Sequence, residues 1–494
     1  MMTRLPPLTC ALWCLAACAD GPETRRSTFL ARDRAPTATR SVTDASADAG
    51  GLDASPPDLR GDAPDPPGVD AGPMTDVDSG EDAGPTPSEP ERYPHDTVLS
   101  PLSPRLVQRL QGIAATDPSL SDDVFSKIGA STSVSSGFLK CFAGNAFDLD
   151  VHTRLRSTRD FFASGDAGGG DPFSRSSLAA KGGVSAGWAL SGSPSPLEQE
   201  LSAASPRFAL VHYGTNDLGL GATHLSALFP FAENMWRIID LLIDRGVIPV
   251  LATIQRRRDD AAADLWVPTF NGVIRGLAEG RQIPLVDMWL ANEDLPNHGL
   301  ASDGVHSASY PGGACVLTPE GLRYGMNNRN LYFLSMLSRL EAAVLDGEPG
   351  DPPQEWLSGL GTADDPIRIP GLPFHDLRDT REAASDALDM YGGCAATQDE
   401  RGPEFIYALD ISATTRLRIT VHDLGATDVD VHLLDETAST EGCLARHHQV
   451  IEATLAPGRW HLALDTFVSP SGDERGGEYL LSVIPCPTDD PDCG

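Results

Sequence analysis

The sequence predicts an α/β fold with a mostly parallel sheet, followed by a smaller all-β region. Apolar runs at residues 208–213 and 247–254 have the length of buried strands, and the segment between them, 231–245, has the apolar spacing of an amphipathic helix. Strands that alternate with helices form a parallel sheet covered by helices on both faces. Beyond Pro349 the pattern changes to short alternating runs such as residues 417–421, which predict a β-sandwich.

The composition excludes one class of function. The 494 residues carry a formal net charge of -33, so the chain would repel nucleic-acid phosphates. Much of this charge falls in residues 19–95, a stretch of Asp, Ala, Pro and Gly with few large apolar side chains. Such a stretch cannot bury enough apolar surface to offset the entropy of ordering, so we predict a disordered tether there.

The first 18 residues have the pattern of an export signal. Arg4 precedes an apolar stretch that ends in Leu15-Ala16-Ala17-Cys18, which resembles a bacterial lipobox. This implies cleavage before Cys18 and lipidation of its thiol, so that the protein is anchored to a membrane of the cell envelope, at the outer membrane or the cell surface. The alternative is an ordinary secretory signal and a secreted protein.

Three short polar stretches carry residues suited to nucleophilic catalysis. Ser131 follows the predicted strand 124–128, and Asn216 follows the strand that ends at residue 213. Further along the chain, Asp303 lies three residues before His306. Because the carboxyl ends of parallel strands meet at one edge of a sheet, we expect these side chains to approach one another. A serine, a histidine and a carboxylate together can form an activated nucleophile.

The three stretches resemble, in order and spacing, the blocks of the SGNH (GDSL-type) hydrolases across residues 96–348. The resemblance implies a flavodoxin-like sheet and a serine esterase with the catalytic triad Ser131, Asp303 and His306. It also implies an oxyanion hole formed by the backbone N–H groups of Ser131 and Gly187 and by the Asn216 amide, with Gly183 as the alternative to Gly187. No cofactor or metal is needed, and the implied substrate is a small-molecule or polysaccharide ester. Acetylated polysaccharides, lipid esters and simple short-chain esters all fit, and the predicted envelope location favours O-acetyl sugars.

Two features leave the function open. Ala130 stands where the family usually has Asp, which supports a rival hypothesis: a non-catalytic surface protein that binds its partner through a decayed hydrolase fold. Three consecutive arginines at residues 256–258 follow another predicted strand. They indicate either a solvated loop or cations that meet an anionic substrate at the mouth of the site.

Residues 349–494 resemble the bacterial pre-peptidase C-terminal domain. The resemblance depends on Pro366-Ile367-Arg368-Ile369, on Asp428-Val429-Asp430-Val431, and on Leu455-Ala456-Pro457-Gly458 before Trp460. Asp428 and Asp430 suggest calcium, but alternate acidic residues on a solvent face are more often simply solvated. We therefore assign no metal.

Six cysteines remain after Cys10, Cys14 and Cys18 are set aside, and export favours their pairing. We predict the pairs Cys141–Cys315, Cys394–Cys443 and Cys486–Cys493. The first pair contains the only two cysteines of the hydrolase region, and Cys141 is expected about three turns into a helix that begins at Ser131. The pairing Cys394–Cys486 with Cys443–Cys493 remains open.

Overall fold

The structure is a computed structural model that describes residues 90–493, so the predicted signal segment with Cys18 and almost all of the predicted tether lie outside the described residues. Its central sheet confirms the predicted parallel arrangement. The strands β1 (Ser121–Gly129), β2 (Pro206–His212), β3 (Ile248–Ala252) and β4 (Leu285–Val286) lie side by side in that order and run parallel.

The end of β1 lies where the chain changes direction across the sheet. Gly129 pairs with His212 of β2 on one edge and forms a parallel bridge with Ala180 on the other edge. After β1 the chain therefore passes first to one side of that strand and later to the other side. A topological switch point of this kind is the usual place for a ligand site in an open α/β sheet.

Nine α-helices surround this sheet within the described range: α1 (Pro104–Thr116), α2 (Ser131–Val134), α3 (Leu155–Ser164), α4 (Ala186–Ala189), α5 (Pro196–Ala204), α6 (His224–Asp244), α7 (Ala261–Arg281), α8 (Met288–Asn292) and α9 (Gly325–Leu340). Helix α6 begins earlier than predicted because Thr223 caps it, and the helix continues through Pro230. None of the described helices is both long and apolar enough to cross a bilayer.

The segment after Ser131 differs from the prediction. Helix α2 has only four residues, and the chain is extended at Ser135 before a 3-10 turn at Lys140–Ala143. The side chain of Asn330 on α9 accepts the N–H of Leu139 and donates to the carbonyl of Gly137, at 2.9 and 2.8 Å. Because these contacts hold the loop against α9, the predicted long helix does not form.

Cys141 is nevertheless bonded to Cys315, with 5.8 Å between their Cα atoms. The other two disulfides are Cys394–Cys443 and Cys486–Cys493. All three are the pairs predicted from the sequence, but Cys141 lies in the 3-10 turn and not in the predicted helix.

The C-terminal region consists of two facing sheets, as the sequence predicts. One sheet has the order β10-β9-β12-β7-β5 and the other β11-β8-β13-β6. Their strands are β5 (Ile367–Arg368), β6 (Phe374–Asp379), β7 (Glu404–Ile411), β8 (Thr415–Asp423), β9 (Val429–Leu434), β10 (Cys443–His447), β11 (Val450–Leu455), β12 (Gly458–Thr466) and β13 (Glu478–Pro485). Apolar side chains of both sheets form one buried cluster between them.

A glycine stripe joins the two regions. Gly272, Gly276 and Gly280 recur every four residues along α7 and face β6 and β13. A methyl group added at Gly276 would lie 2.5 Å from Leu480, and one at Gly280 would lie 2.4 Å from Leu377. The missing side chains thus let the helix lie close against the sheet.

Packed structure also begins slightly before residue 96, the predicted start of the hydrolase domain. Tyr93 is buried and donates its hydroxyl to the carbonyl of Ile283 at 2.9 Å, and Arg92 pairs with Glu279 at 2.8 Å. The predicted tether is therefore a few residues too long at this end.

Candidate active site

A tight turn at the end of β1 presents Ser131. A Cβ atom at Gly129 would lie 2.3 Å from the Ser133 hydroxyl and 2.5 Å from the His212 carbonyl oxygen, so the turn accepts only glycine there. Ala130 then leads into α2, and Ser131 is its first residue, partly exposed. The Ser131 Oγ lies 2.9 Å from His306 Nε2.

The Asp303–His306 loop forms a compact local turn. Asp303 Oδ1 accepts the backbone N–H groups of Val305 and His306, each at 3.0 Å, and Oδ2 lies 2.7 Å from His306 Nδ1. Partial burial alone would raise the pKa of Asp303, but these N–H groups and the imidazole lower it to about 2. The carboxylate is therefore ionised at neutral pH and faces the imidazole.

Ser131, His306 and Asp303 thus form one hydrogen-bonded chain, although Asp303 and Ser131 are 172 positions apart in the sequence numbering. The side chains of His306 and Asp303 are 47% and 51% exposed. This part of the site is an open surface rather than an enclosed cavity.

Residues 181–187, the glycine segment, lie between the turn that carries Ser131 and the turn that carries Asn216. Lys181 N–H donates to the Gly129 carbonyl at 3.1 Å, and the Asn216 amide donates to the Val184 carbonyl at 2.8 Å. Gly187 is the second residue of α4, where a helix leaves the backbone N–H without an intrahelical acceptor. Gly183 lies in the same segment, with open space around its Cα.

Asp217 is a positioning residue to which sequence reasoning gave no role. It is buried, and its two oxygens accept the N–H groups of Ala186 and Gly214 at 2.9 and 3.0 Å. Burial raises its pKa to about 6, against the opposing effect of these two hydrogen bonds. Asp217 therefore ties the glycine segment to the Asn216 turn. The sequence signal for this role is the position of Asp217 directly after Asn216 in the stretch Gly214-Thr215-Asn216-Asp217.

Two of the three consecutive arginines support the loops around the site. Arg256 pairs with Glu293 at 2.5 Å, and Arg257 pairs with Asp259 at 2.8 Å and donates to the Thr215 carbonyl at 2.7 Å. The third, Arg258, is exposed, and its backbone N–H donates to the Gly304 carbonyl at 2.9 Å. At least two of the three cations are thus engaged in holding the loops.

One group in the described part of the chain could hold a metal ion, and it lies in the β region. Ligand atoms of Asp423, Asp428 and His448 all fall within 4.8 Å of one another. His448 Nδ1 is 3.1 Å from an Asp428 oxygen, and Asp423 accepts the Val429 N–H at 3.0 Å. These contacts give the three side chains protein partners of their own.

Comparisons with known proteins identify the α/β region. Residues 158–308 match the model of the GDSL-like Lipase/Acylhydrolase family, a span that includes Gly187, Asn216, Asp303 and His306 and begins after Ser131. No curated protein matches the chain.

Several solved structures are similar. A GDSL-like lipase from Bacteroides thetaiotaomicron is 15% identical, with 47% of this chain and 97% of that chain covered and a TM-score of 0.30. A two-domain esterase active on acetylated mannans is 12% identical, with 77% and 95% covered and a TM-score of 0.28. The pre-peptidase C-terminal domain of a Bacillus anthracis collagenase is 16% identical, with 24% and 91% covered and a TM-score of 0.16. Because these TM-scores are low, the assignment depends on the family model: residues 158–308 belong to a GDSL-like lipase/acylhydrolase domain, which supports a hydrolase acting on esters.

Proposed function

We propose that the protein is a serine esterase in which Ser131 is the nucleophile, His306 the general base and Asp303 the residue that orients the imidazole. One observation carries the proposal: the Ser131 Oγ to His306 Nε2 distance of 2.9 Å and the His306 Nδ1 to Asp303 Oδ2 distance of 2.7 Å form a continuous chain. This is the relation of nucleophile, base and orienting carboxylate that defines a triad on any fold.

In the acylation step, the Ser131 hydroxyl transfers its proton to His306 Nε2 as its oxygen bonds to the ester carbonyl carbon. Asp303 accepts the Nδ1–H, which fixes the tautomer and stabilises the imidazolium. When the tetrahedral intermediate collapses, the bond to the alkoxy oxygen breaks and Nε2 returns the proton to that oxygen. Water then repeats the two steps on the acyl-enzyme, which releases the acid and restores Ser131.

The negative oxygen of the tetrahedral intermediate needs donors that are already in place. We assign this role to the backbone N–H groups of Ser131 and Gly187 and to the Asn216 amide. Asn216 Nδ2 carries two protons, so it can donate to the Val184 carbonyl and still offer a second N–H. Loss of one such donor typically costs ~100–1,000-fold in rate.

We assign carboxylic esters as the substrate class and favour O-acetyl groups on carbohydrate. The support is the openness of the site: with His306 and Asp303 about half exposed, an ester on a bulky polymer can reach the serine. We further propose that the hydrolase domain and the β-sandwich domain, 349–494, are held at the cell envelope by a lipid on Cys18, or are secreted.

The rival function is non-catalytic binding on a decayed hydrolase fold, favoured by Ala130 alone. A fluorophosphonate probe separates the two functions, because it bonds covalently only to an activated serine. We expect labelling of Ser131, found by peptide mass spectrometry, together with hydrolysis of short-chain nitrophenyl esters. A folded protein that is neither labelled nor active on these esters would favour the binding function.

A further inference from the structure

A cavity of about 390 Å³ lies beside the loop that carries His306. Its wall includes Leu300, Ala308, Tyr310, Glu320, Arg323 and Tyr324. This volume is in the range of small-molecule sites, which combine apolar and aromatic walls with a few polar groups.

The backbone that carries the proposed catalytic base, His306, adjoins the wall of the cavity. Leu300 and Ser307 form an antiparallel bridge, and beside it the Ala308 N–H donates to the Gly299 carbonyl at 2.8 Å. On the other side of the bridge the Ala301 N–H donates to the His306 carbonyl at 2.7 Å. The backbone pair that fixes His306 therefore continues directly into the wall of the cavity.

This position indicates which part of a substrate the cavity meets. In serine ester hydrolysis the base returns its proton to the departing alcohol oxygen, so that alcohol lies on the histidine side of the serine. The oxyanion donors proposed above belong to the turns after β1 and β2 and to α4, which are separate from the cavity wall. Because the cavity wall adjoins the loop of the base and not the oxyanion turns, the geometry points to the alcohol side of the substrate.

The lining is suited to a neutral ligand rich in hydroxyl groups. The rings of Tyr310 and Tyr324 lie 5.4 Å apart, tilted by 54°, and both are partly exposed. Glu320 and Arg323 are exposed, and neither forms an ion pair with another described residue. Their charges cancel, and together they offer acceptors and donors, as the hydroxyl groups of a sugar require.

An acyl chain fits this lining poorly. Covering Glu320 and Arg323 with hydrocarbon would remove water from two charges without supplying hydrogen-bond partners, which is unfavourable. A sugar ring instead has apolar faces for the tyrosine rings and hydroxyl groups for the charged side chains.

We propose that this cavity binds the sugar portion of an acylated carbohydrate, the alcohol that the esterase releases. The proposal rests on the proposed esterase function and adds the residues that select the alcohol: Tyr310 and Tyr324 pack on the ring, and Glu320 and Arg323 bind its hydroxyl groups.

Two substrates with the same acyl group but different alcohols test this proposal. For an acetylated xylo-oligosaccharide, Arg323→Gln and Glu320→Gln should each lower kcat/KM about tenfold, the usual effect of losing a hydrogen bond to a charged group. For 4-nitrophenyl acetate, which has no sugar, both variants should stay within twofold of the wild type. Arg237→Gln is the matched control, because Arg237 is an exposed arginine on α6 paired with Glu233. Arg237→Gln should leave kcat/KM for both substrates unchanged.

The tyrosines give a second readout. Tyr310→Ala and Tyr324→Ala should lower kcat/KM for the sugar ester but not for 4-nitrophenyl acetate. The corresponding Phe variants should recover most of that loss because they keep the ring. If the Ala variants fail to fold, Arg323→Gln and Glu320→Gln still test the assignment. Equal losses on both substrates, or no loss on either, would overturn the assignment.

Binding without chemistry separates this inference from the proposed function. In Ser131→Ala, calorimetry with deacetylated oligosaccharides of xylose, mannose and N-acetylglucosamine should detect binding of at least one of them. Arg323→Gln in the same background should weaken that binding about tenfold. If the wild type hydrolyses no ester but this loss is seen, the esterase function fails, and only the assignment of the cavity as a sugar-binding site stands. If no oligosaccharide binds, the cavity assignment fails even when nitrophenyl acetate is hydrolysed.

Discussion

The α/β region and the β region place their polar groups in opposite ways. Ser131, His306 and Asp303 lie on loops at the open edge of the parallel sheet, and the two titratable side chains are about half exposed. In the β region, Asp376 and Tyr407 are buried between facing sheets, where the Tyr407 hydroxyl donates to Asp376 at 2.9 Å.

The buried group of the β region is more extensive than this pair. Arg378 donates to Asp376 at 2.5 Å, and the Tyr407 hydroxyl lies 2.6 Å from that of Tyr479. The Asp376 carboxylate and the Tyr407 hydroxyl are buried and already hydrogen-bonded within the protein, whereas the exposed chain at the sheet edge can reach a ligand. Exposure, more than residue type, therefore separates groups able to act on a substrate from groups that hold the fold together.

The largest effect is expected for the residues at the open edge of the parallel sheet. Ser131→Ala and His306→Ala should each lower kcat for nitrophenyl acetate by roughly 10⁴-fold or more, because nucleophile and base act as a unit. The melting temperature should change little, since both side chains are at least partly exposed. Ser302→Ala, an exposed serine beside the same loop, should keep wild-type activity. An active Ser131→Ala variant would remove Ser131 from the mechanism.

Asp303→Asn should be nearly as damaging, at roughly 10⁴-fold in kcat, because the amide favours the wrong imidazole tautomer. The pKa of Asp303 is about 2, so its carboxylate is ionised throughout the range from pH 5 to 9. Titration of Asp303 itself should therefore add no step to the pH–rate profile of the wild type in that range. Asp294→Asn, at an exposed aspartate, serves as the control. An Asp303→Asn variant with wild-type kcat would contradict the orienting role.

The buried group should respond in stability rather than rate. Asp376→Ala removes the buried carboxylate to which Arg378 and Tyr407 donate, and breaking a buried ion pair typically costs about 3–5 kcal/mol in the free energy of unfolding. Urea denaturation should show this loss, while kcat per folded molecule at 25 °C stays within twofold. Removing the cation as well, in Asp376→Ala with Arg378→Met, should recover part of the stability. A drop in kcat without destabilisation would break the contrast between the two regions.

The smallest effect concerns Ala130, which precedes the nucleophile and is almost fully buried. Ala130→Asp places a capping carboxylate at the start of α2, where it can accept a backbone N–H and stiffen the turn. We expect kcat/KM to be unchanged or to rise a few-fold. A large loss of activity with the fold preserved would mean that this turn is built differently from the family pattern.

Local features of the site could be read from the sequence. The Asp303–His306 turn closes through hydrogen bonds within three residues, so the spacing alone predicts its form. Ser131 was likewise placed correctly at a strand-to-helix turn. The strand and helix pattern also determined the parallel sheet, because burial on both faces leaves long apolar runs.

Tertiary structure decided the features that depend on residues far away in the chain. The helix after Ser131 ends early because Asn330, about 190 positions along, binds the backbone at residues 137 and 139. The role of Asp217 depends on Ala186, and Gly276 is needed only because Leu480 packs against it. A sequence pattern reports the preferences of neighbouring residues, whereas these contacts exist only once the chain has brought separate segments together.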